Sequence, residues 1–259
     1  MGYLRLRQIC LVATDLATVE TQIEDVLGLE VCFRDPGVGK YGLHNALFAM
    51  GGTFLEVVSP TQPDTAAGRY IARRKGDGGY MYIIDCDNLE ARREHFKAEG
   101  VRLVEDLNST EWGLTGEALH LHPRDTGGCL LSVDRHSPGT DMAGSYKWAG
   151  PKWQEHDRSK TVSQIVGAAI QSADPADLAA KWSHLLQRPL RKPDTGGMDI
   201  HLDQGFVHFG PLRDDRGEGL RAVFLKTKDK ATILANADQA GLPRGDDHVD
   251  LAGVRFMLV

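Results

Sequence analysis

Glu56 stands in Phe-Leu-Glu-Val-Val-Ser-Pro (54–60), with apolar residues on both sides. In a pleated strand, residues two apart share a face, so Phe54, Glu56 and Val58 point the same way. A carboxylate on an apolar face either lines a pocket where it works on a ligand or lies on an outer surface. In a concave, partly apolar pocket, desolvation raises its pKa toward the range useful to a general base. The chemistry that suits it is proton abstraction next to a carbonyl. A third reading makes it a structural acceptor inside the sheet, paired with Gln8 or a backbone amide.

Other residues carry weaker chemical signals. His120 and His122 form an H-x-H on one strand, with side chains about 7 Å apart on one face, a spacing that can chelate. Loop-fixing or surface roles suit them better, and His44 falls off the face of Glu56 if the chain turns at Gly51-Gly52, where Leu47 takes the inward place. Cys10, Cys32, Cys86 and Cys129 are far apart and form no C-x-x-C pair. They read as packed free thiols in a reducing cytoplasm rather than a disulfide framework or zinc knuckle. The basic run Arg69, Arg73, Arg74 and Lys75 reads as a solvated helix end, or as a contact for a ligand's phosphates. Asp203, Asp214, Asp215, Asp246, Asp247 and His248 lack calcium-loop spacing and read as solvated turns.

The 259 residues are 41% hydrophobic and 25% charged, the balance of an ordinary globular protein, long enough for one large domain or two. A net charge of -6 argues against a general nucleic-acid or anionic-membrane surface. No apolar run approaches the ~20 residues that span a bilayer. The N-terminus passes straight into a strand pattern, so no signal peptide is expected and the protein is placed in the cytoplasm.

The elements that must position Glu56 repeat along the chain. Residues 4–14 read as a strand; Asp15 caps a helix with Leu16, Val19, Ile23 and Val26/Leu27 on its inward face, and Gly28 ends it. Three strands follow, LEVCFRD, YGLHNALFAM and TFLEVVSP, the last two joined at Gly51-Gly52. The order then recurs: GYMYIIDC, a helix capped by Asp87 or Asn88, and the strands VRLVEDL, TGEALHLH and GCLLSVD. Residues 136–162 lose the period and read as a linker, pinned to a surface by Trp148 and Trp153. A third unit starts at SQIVGAAIQS, with Asp174 capping a Pro-initiated helix, and a shorter fourth ends in GVRFMLV. The expected fold is α+β: tandem βαβββ units in two cupped mixed sheets, helices on the outer faces, with domains at 1–135 and 163–259.

This order, with FLEVVSP, GGYMYIIDCDNL and HPRDTGGCLLSV, resembles the vicinal-oxygen-chelate superfamily of glyoxalases, bleomycin-resistance proteins and extradiol dioxygenases. The first half is most similar to the methylmalonyl-CoA epimerase branch. The resemblance implies a cup in which the first and last strands of each unit hold a divalent metal. The matching positions here are Gln8, Glu56, Met81 and Ser132, where the family usually has His, Glu or Gln. Methionine and serine are poor donors for hard divalent cations. No metal site and no other cofactor is therefore expected, a divalent cation being the one the resemblance leaves open. In the second half His208 falls near the place of Glu56, but Gly167 and Met257 fall near two others.

The expected function is proton transfer beside a carbonyl, of epimerase, isomerase or lyase type. Glu56 is the base, with Gln8 and Tyr80 holding or protonating the substrate oxygen. Ser132, Met81, His122 and Asn45 are the candidate substrate-binding residues. The alternative keeps the cup as a metal-free pocket that binds or sequesters a small molecule. The expected partner is a small-molecule substrate or ligand, not nucleic acid or membrane, in a monomer or homodimer.

Overall fold

In the computed structural model, residues 2–138, 141–158 and 160–259 are described. The first sheet is built from two copies of one unit. Strand β1 (Leu4–Val12) leads to helix α1 (Leu16–Leu27), then β2 (Val31–Phe33), β3 (Leu43–Met50) and β4 (Thr53–Pro60). Helix α2 (Ala66–Arg74) is inserted before the second copy: β5 (Gly78–Cys86), α3 (Leu89–Ala98), β6 (Leu103–Glu111), β7 (Leu114–Leu121), the short α4 (Pro123–Thr126) and β8 (Leu130–Ser137). The strand order is β2-β3-β4-β1-β5-β8-β7-β6. β1 runs parallel to β4, β5 runs parallel to β8, and the antiparallel β1–β5 pair joins the copies.

The second sheet repeats the plan in a reduced form. β9 (Val162–Ser172), α5 (Pro175–Leu186), β10 (Leu190–Arg191), β11 (Met198–His201) and β12 (Phe206–Pro211) form one copy. β13 (Gly219–Thr227), α6 (Lys230–Gln239), β14 (His248–Leu251) and β15 (Val254–Leu258) form the other, in the order β10-β11-β12-β9-β13-β15-β14. The α+β architecture of two curled mixed sheets with helices is as the sequence pattern implies.

Local rules account for most boundaries. Asp15 accepts hydrogen bonds from Ala17 and Thr18 at the start of α1, and Gly28 closes it with a left-handed φ of 66°. Asn88, not Asp87, caps α3, and Asp174 caps α5. Gly51 and Gly52, at φ 58° and 82°, turn the chain between β3 and β4 and set Leu47 opposite Glu56. Among the described residues, no helix is long and apolar enough to cross a membrane.

One hydrophobic core spans both sheets. Leu6, Ile9, Phe48 and Leu55 from the first sheet belong to the same cluster as Ile165, Ala168, Phe209 and Val223 from the second. Trp182 of α5 shows how they meet. Its ring lies edge-on to Tyr82 of β5 and to Phe209 of β12, while its indole N–H donates to the Thr126 carbonyl. Arg74, read from sequence as a solvated cation, is instead buried, and its Nη1 faces the carbonyls of Arg216, Gly217 and Glu218 at 3.1, 2.9 and 2.6 Å. It ties α2 to the second sheet.

The opposite face of the first sheet is concave, and the segment expected to be a linker packs into it. Residues 136–137 belong to β8, and Tyr146, Ala149 and Trp153 form a buried cluster with Leu47, Ala49 and Phe54. Tyr146 stacks on Phe54 at 4.3 Å between ring centroids, and Trp153 meets the same ring edge-on at 5.1 Å. Glycines make room for this strap. A Cβ on Gly52 would lie 2.1 Å from the Met142 carbonyl oxygen, and one on Gly116 would lie 2.9 Å from the Trp148 ring.

Candidate functional site

Two bulges furnish the floor of the cup. Along β1, Leu6 pairs with Ile84 and Gln8 with Ile83, so Arg7 is an extra residue. Along β5, Met81 pairs with Cys10 and Gly79 with Leu11, which leaves Tyr80 as the extra residue. A bulge interrupts the alternation of faces and re-aims a side chain. Arg7 lies near Phe54 and Tyr146, and Tyr80 lies against Tyr70 on α2, both on the concave side.

Over this floor opens a cleft of about 1210 Å³. Gln8, Glu56, Met81, Tyr80 and His122 all line it. Asn45 lies beneath, buried and bonded to Glu56, and Ser132 is fully buried behind Asp134. The strap supplies another wall through Lys147 and Trp148. His122 also caps α4 by accepting from the Arg124 N–H at 3.2 Å, so it fixes a loop.

Glu56 is held by two amides. Nε2 of Gln8 donates to one carboxylate oxygen at 2.8 Å, and Nδ2 of Asn45 donates to the other at 2.6 Å. Burial raises the Glu56 pKa above the ordinary glutamate value, and the bonds from Asn45 and Gln8 work against that rise. Asn45 is itself tied down, its carbonyl oxygen accepting from the Asp35 N–H at 2.8 Å. Gln8 is fixed on its other side by the Tyr146 hydroxyl, which donates to Oε1 at 2.8 Å.

Asp134 is the second buried carboxylate that lines the cleft. The pairing places it: β1–β4 sets Cys10 beside Glu56, and β5–β8 sets Asp85 beside Asp134. Ser132, paired with Ile83, takes the place in the second copy that Glu56 takes in the first, and Asp134 stands two residues further along β8 on the same face. Asp134 accepts from the Ser132 hydroxyl and, at 2.8 Å, from the Trp148 indole N–H. Burial pushes its carboxyl up to about 7. The signal for it was present in the sequence, since Ser132 facing inward puts Asp134 on the same face. Tyr80 is pushed up to about 12, chiefly by burial, so its phenol stays protonated and able to donate. Burial lowers His120 to about 4, leaving it neutral.

A divalent cation does not fit this donor set. Both Glu56 oxygens already accept from amides, both Asp134 oxygens accept from Ser132 and Trp148, and the Gln8 oxygen accepts from Tyr146. Ile83, opposite Gln8, offers no donor atom, and Met81 offers only a thioether. Among the described residues, no group of three or more His, Cys, Asp or Glu side chains is gathered to hold a metal ion.

Fold and cleft together define a vicinal-oxygen-chelate protein. The glyoxalase-like domain family matches residues 9–186, well over half of the chain, and the chain belongs to that family. It is similar to mouse methylmalonyl-CoA epimerase, with 26% identity over 132 residues, covering 51% of this chain and 72% of the relative. Two crystal structures share its fold at 14% identity. A hypothetical protein from Staphylococcus aureus has a TM-score of 0.69, covering 99% of each chain. The Mn(II)-bound glyoxalase from Novosphingobium aromaticivorans has a TM-score of 0.64, covering 100% of this chain and 82% of that one.

Proposed function

We propose that the chain is an enzyme that moves a proton next to the carbonyl of a small molecule, using Glu56 and Asp134 as an acid–base pair in one cleft. The observation that carries this reading is the hydrogen bonding of Asp134. The Ser132 hydroxyl can donate to the Asp134 carboxylate or turn and accept from the carboxylic acid. Asp134 therefore changes protonation state without losing a bond, and its position near 7 matches the working range of a proton carrier. Glu56, whose two oxygens accept from Gln8 and Asn45, removes the proton α to the carbonyl. The electron pair moves onto the carbonyl oxygen, which Tyr80 stabilises by donating a hydrogen bond. Return of a proton from Asp134 to the opposite face of that carbon gives the epimer; in an α-hydroxy ketone, return to the former carbonyl carbon, with the neighbouring hydroxyl giving up its proton, gives the isomer.

The similarity to methylmalonyl-CoA epimerase supports carbonyl compounds as the substrate class, and 2-methyl acyl-CoAs head the panel to be tried. Solvent deuterium incorporation into that panel and into α-hydroxy ketones is the test. Glu56→Gln is expected to abolish exchange, and Asp134→Asn to slow it by on the order of 10² to 10⁴, the usual contribution of one acid or base. Exchange unaffected by Glu56→Gln would remove Glu56 from the mechanism.

A second reading, binding or sequestration without turnover, is favoured by one observation: both Glu56 oxygens are already occupied by Gln8 and Asn45. Tight ligand binding with no deuterium exchange would select it.

A further inference from the structure

We propose that Tyr146, supplied by the strap between the two sheets, is a positioning residue that fixes the orientation of the Gln8 amide so that a donor faces Glu56. The two ends of a glutamine amide have nearly the same shape, so packing alone does not choose between them. At Gln8 the choice matters. In the orientation observed, Nε2 reaches Glu56 at 2.8 Å, and Oε1 receives the Tyr146 hydroxyl at 2.8 Å. Flipping the amide would set a carbonyl oxygen against a carboxylate, which is tolerable only if Glu56 takes up a proton. The Tyr146 hydroxyl would have to turn as well, leaving its own hydrogen without the Gln8 oxygen. One phenol thus biases the whole row toward a donor at Glu56.

The placement of Tyr146 is built in rather than incidental. Its ring is fully buried, stacked on Phe54, with the Arg7 guanidinium 4.9 Å from its centroid. Arg7 in turn donates to the Met142 carbonyl at 2.9 Å, and the Trp153 indole donates to the Gly144 carbonyl at 3.2 Å. These contacts seat the strap on both sides of Tyr146. Two residues on, Trp148 performs the parallel service for Asp134. The consequence for catalysis rests on the proton-transfer reading; the orientation itself does not.

The experiment compares Tyr146→Phe, which keeps the ring and loses the hydroxyl, with Trp153→Phe, which loosens the strap without touching Gln8. The side-chain amide signals of Gln8 are followed by ¹H–¹⁵N NMR on the full chain, assigned by their loss in Gln8→Met. In Tyr146→Phe they are expected to shift and to exchange with solvent on the order of tenfold faster, the equivalent of one hydrogen bond. In Trp153→Phe they are expected to stay in place. Signals unchanged in Tyr146→Phe, or changed equally in both variants, would overturn the inference. With methylmalonyl-CoA as probe, Tyr146→Phe should lower deuterium exchange at saturation about tenfold while KM stays within about twofold. If wild-type protein exchanges no deuterium but the Gln8 signals move as stated, the proton-transfer reading falls and the positioning role stands.

Discussion

Asp134 is where the chemistry of single residues makes its sharpest prediction. Its folded pKa, about 7, lies above the ordinary value, so the folded chain holds a proton that the unfolded chain has released. Stability is then highest below the unfolded pKa near 3.9 and falls as pH rises toward 7, levelling off above it. The wild type should lose a few kcal/mol over that range from this residue. Asp134→Asn should remove that part of the slope, read as urea midpoints between pH 4.5 and 8. An asparagine is accommodated because its oxygen can accept from Trp148 while its amide donates to Ser132. Asn45→Asp makes the opposite case. It sets a second carboxylate against Glu56 and should destabilise the fold at pH 8 by about 2–4 kcal/mol, less at pH 5. Glu56 was readable from period-two alternation, whereas Gln8 and Met81 were marked by the family resemblance. Asp134 is legible by the same alternation, two residues from Ser132, but the family resemblance marks Ser132 and not Asp134. Tyr146 and Trp148 were not readable as site residues, since nothing in a segment without periodicity says which face of the sheet it lies on.

Among the elements, the strap and the bulges decide how the cup is furnished. Gly52→Ala would drive a Cβ to 2.1 Å from the Met142 oxygen at a φ of 82°. The strain is expected to lower stability by about 1–3 kcal/mol in a thermal or urea titration. Gly116→Ala, at an ordinary φ, would press on the Trp148 ring and on Cβ of Lys147, and indole fluorescence should report the displacement. Helix starts and strand order were legible because caps, glycines and alternation are local signals: Asp15, Gly28 and Asp174 act where the sequence places them. The bulges at Arg7 and Tyr80 were not, because an extra residue is recognised only against its partner strand. With both bulges in place, Ile83 stands opposite Gln8 and Met81 opposite Cys10.

For the whole molecule, the shared core matters more than the boundary between sheets. Leu6, Ile9 and Phe48 bury themselves in the cluster that holds Ile165 and Val223, so the first sheet alone would expose a broad apolar face. Residues 1–158 expressed alone are expected to aggregate or associate, as seen by light scattering; a stable monomer would show two independent units. Arg74→Met removes the guanidinium that faces three carbonyls of the loop leading into β13. It should cost about 2–4 kcal/mol, measured as a shift in urea midpoint, because those acceptors are left without their donor. The element order of both sheets was legible, and their joining was not: a buried arginine in a basic run looks the same in sequence as a solvated one.

The strap follows the eighth strand in chain order, and its tyrosine and tryptophan complete the bonding of Gln8 and Asp134. A nascent chain that has just released β8 from the ribosome therefore carries every strand of the first cup but not yet a finished reaction centre. Competence arrives only once Tyr146 and Trp148 have followed, as the ring of Tyr146 closes over Phe54. The back of the same sheet waits longer still, until β9 and β13 emerge to cover it.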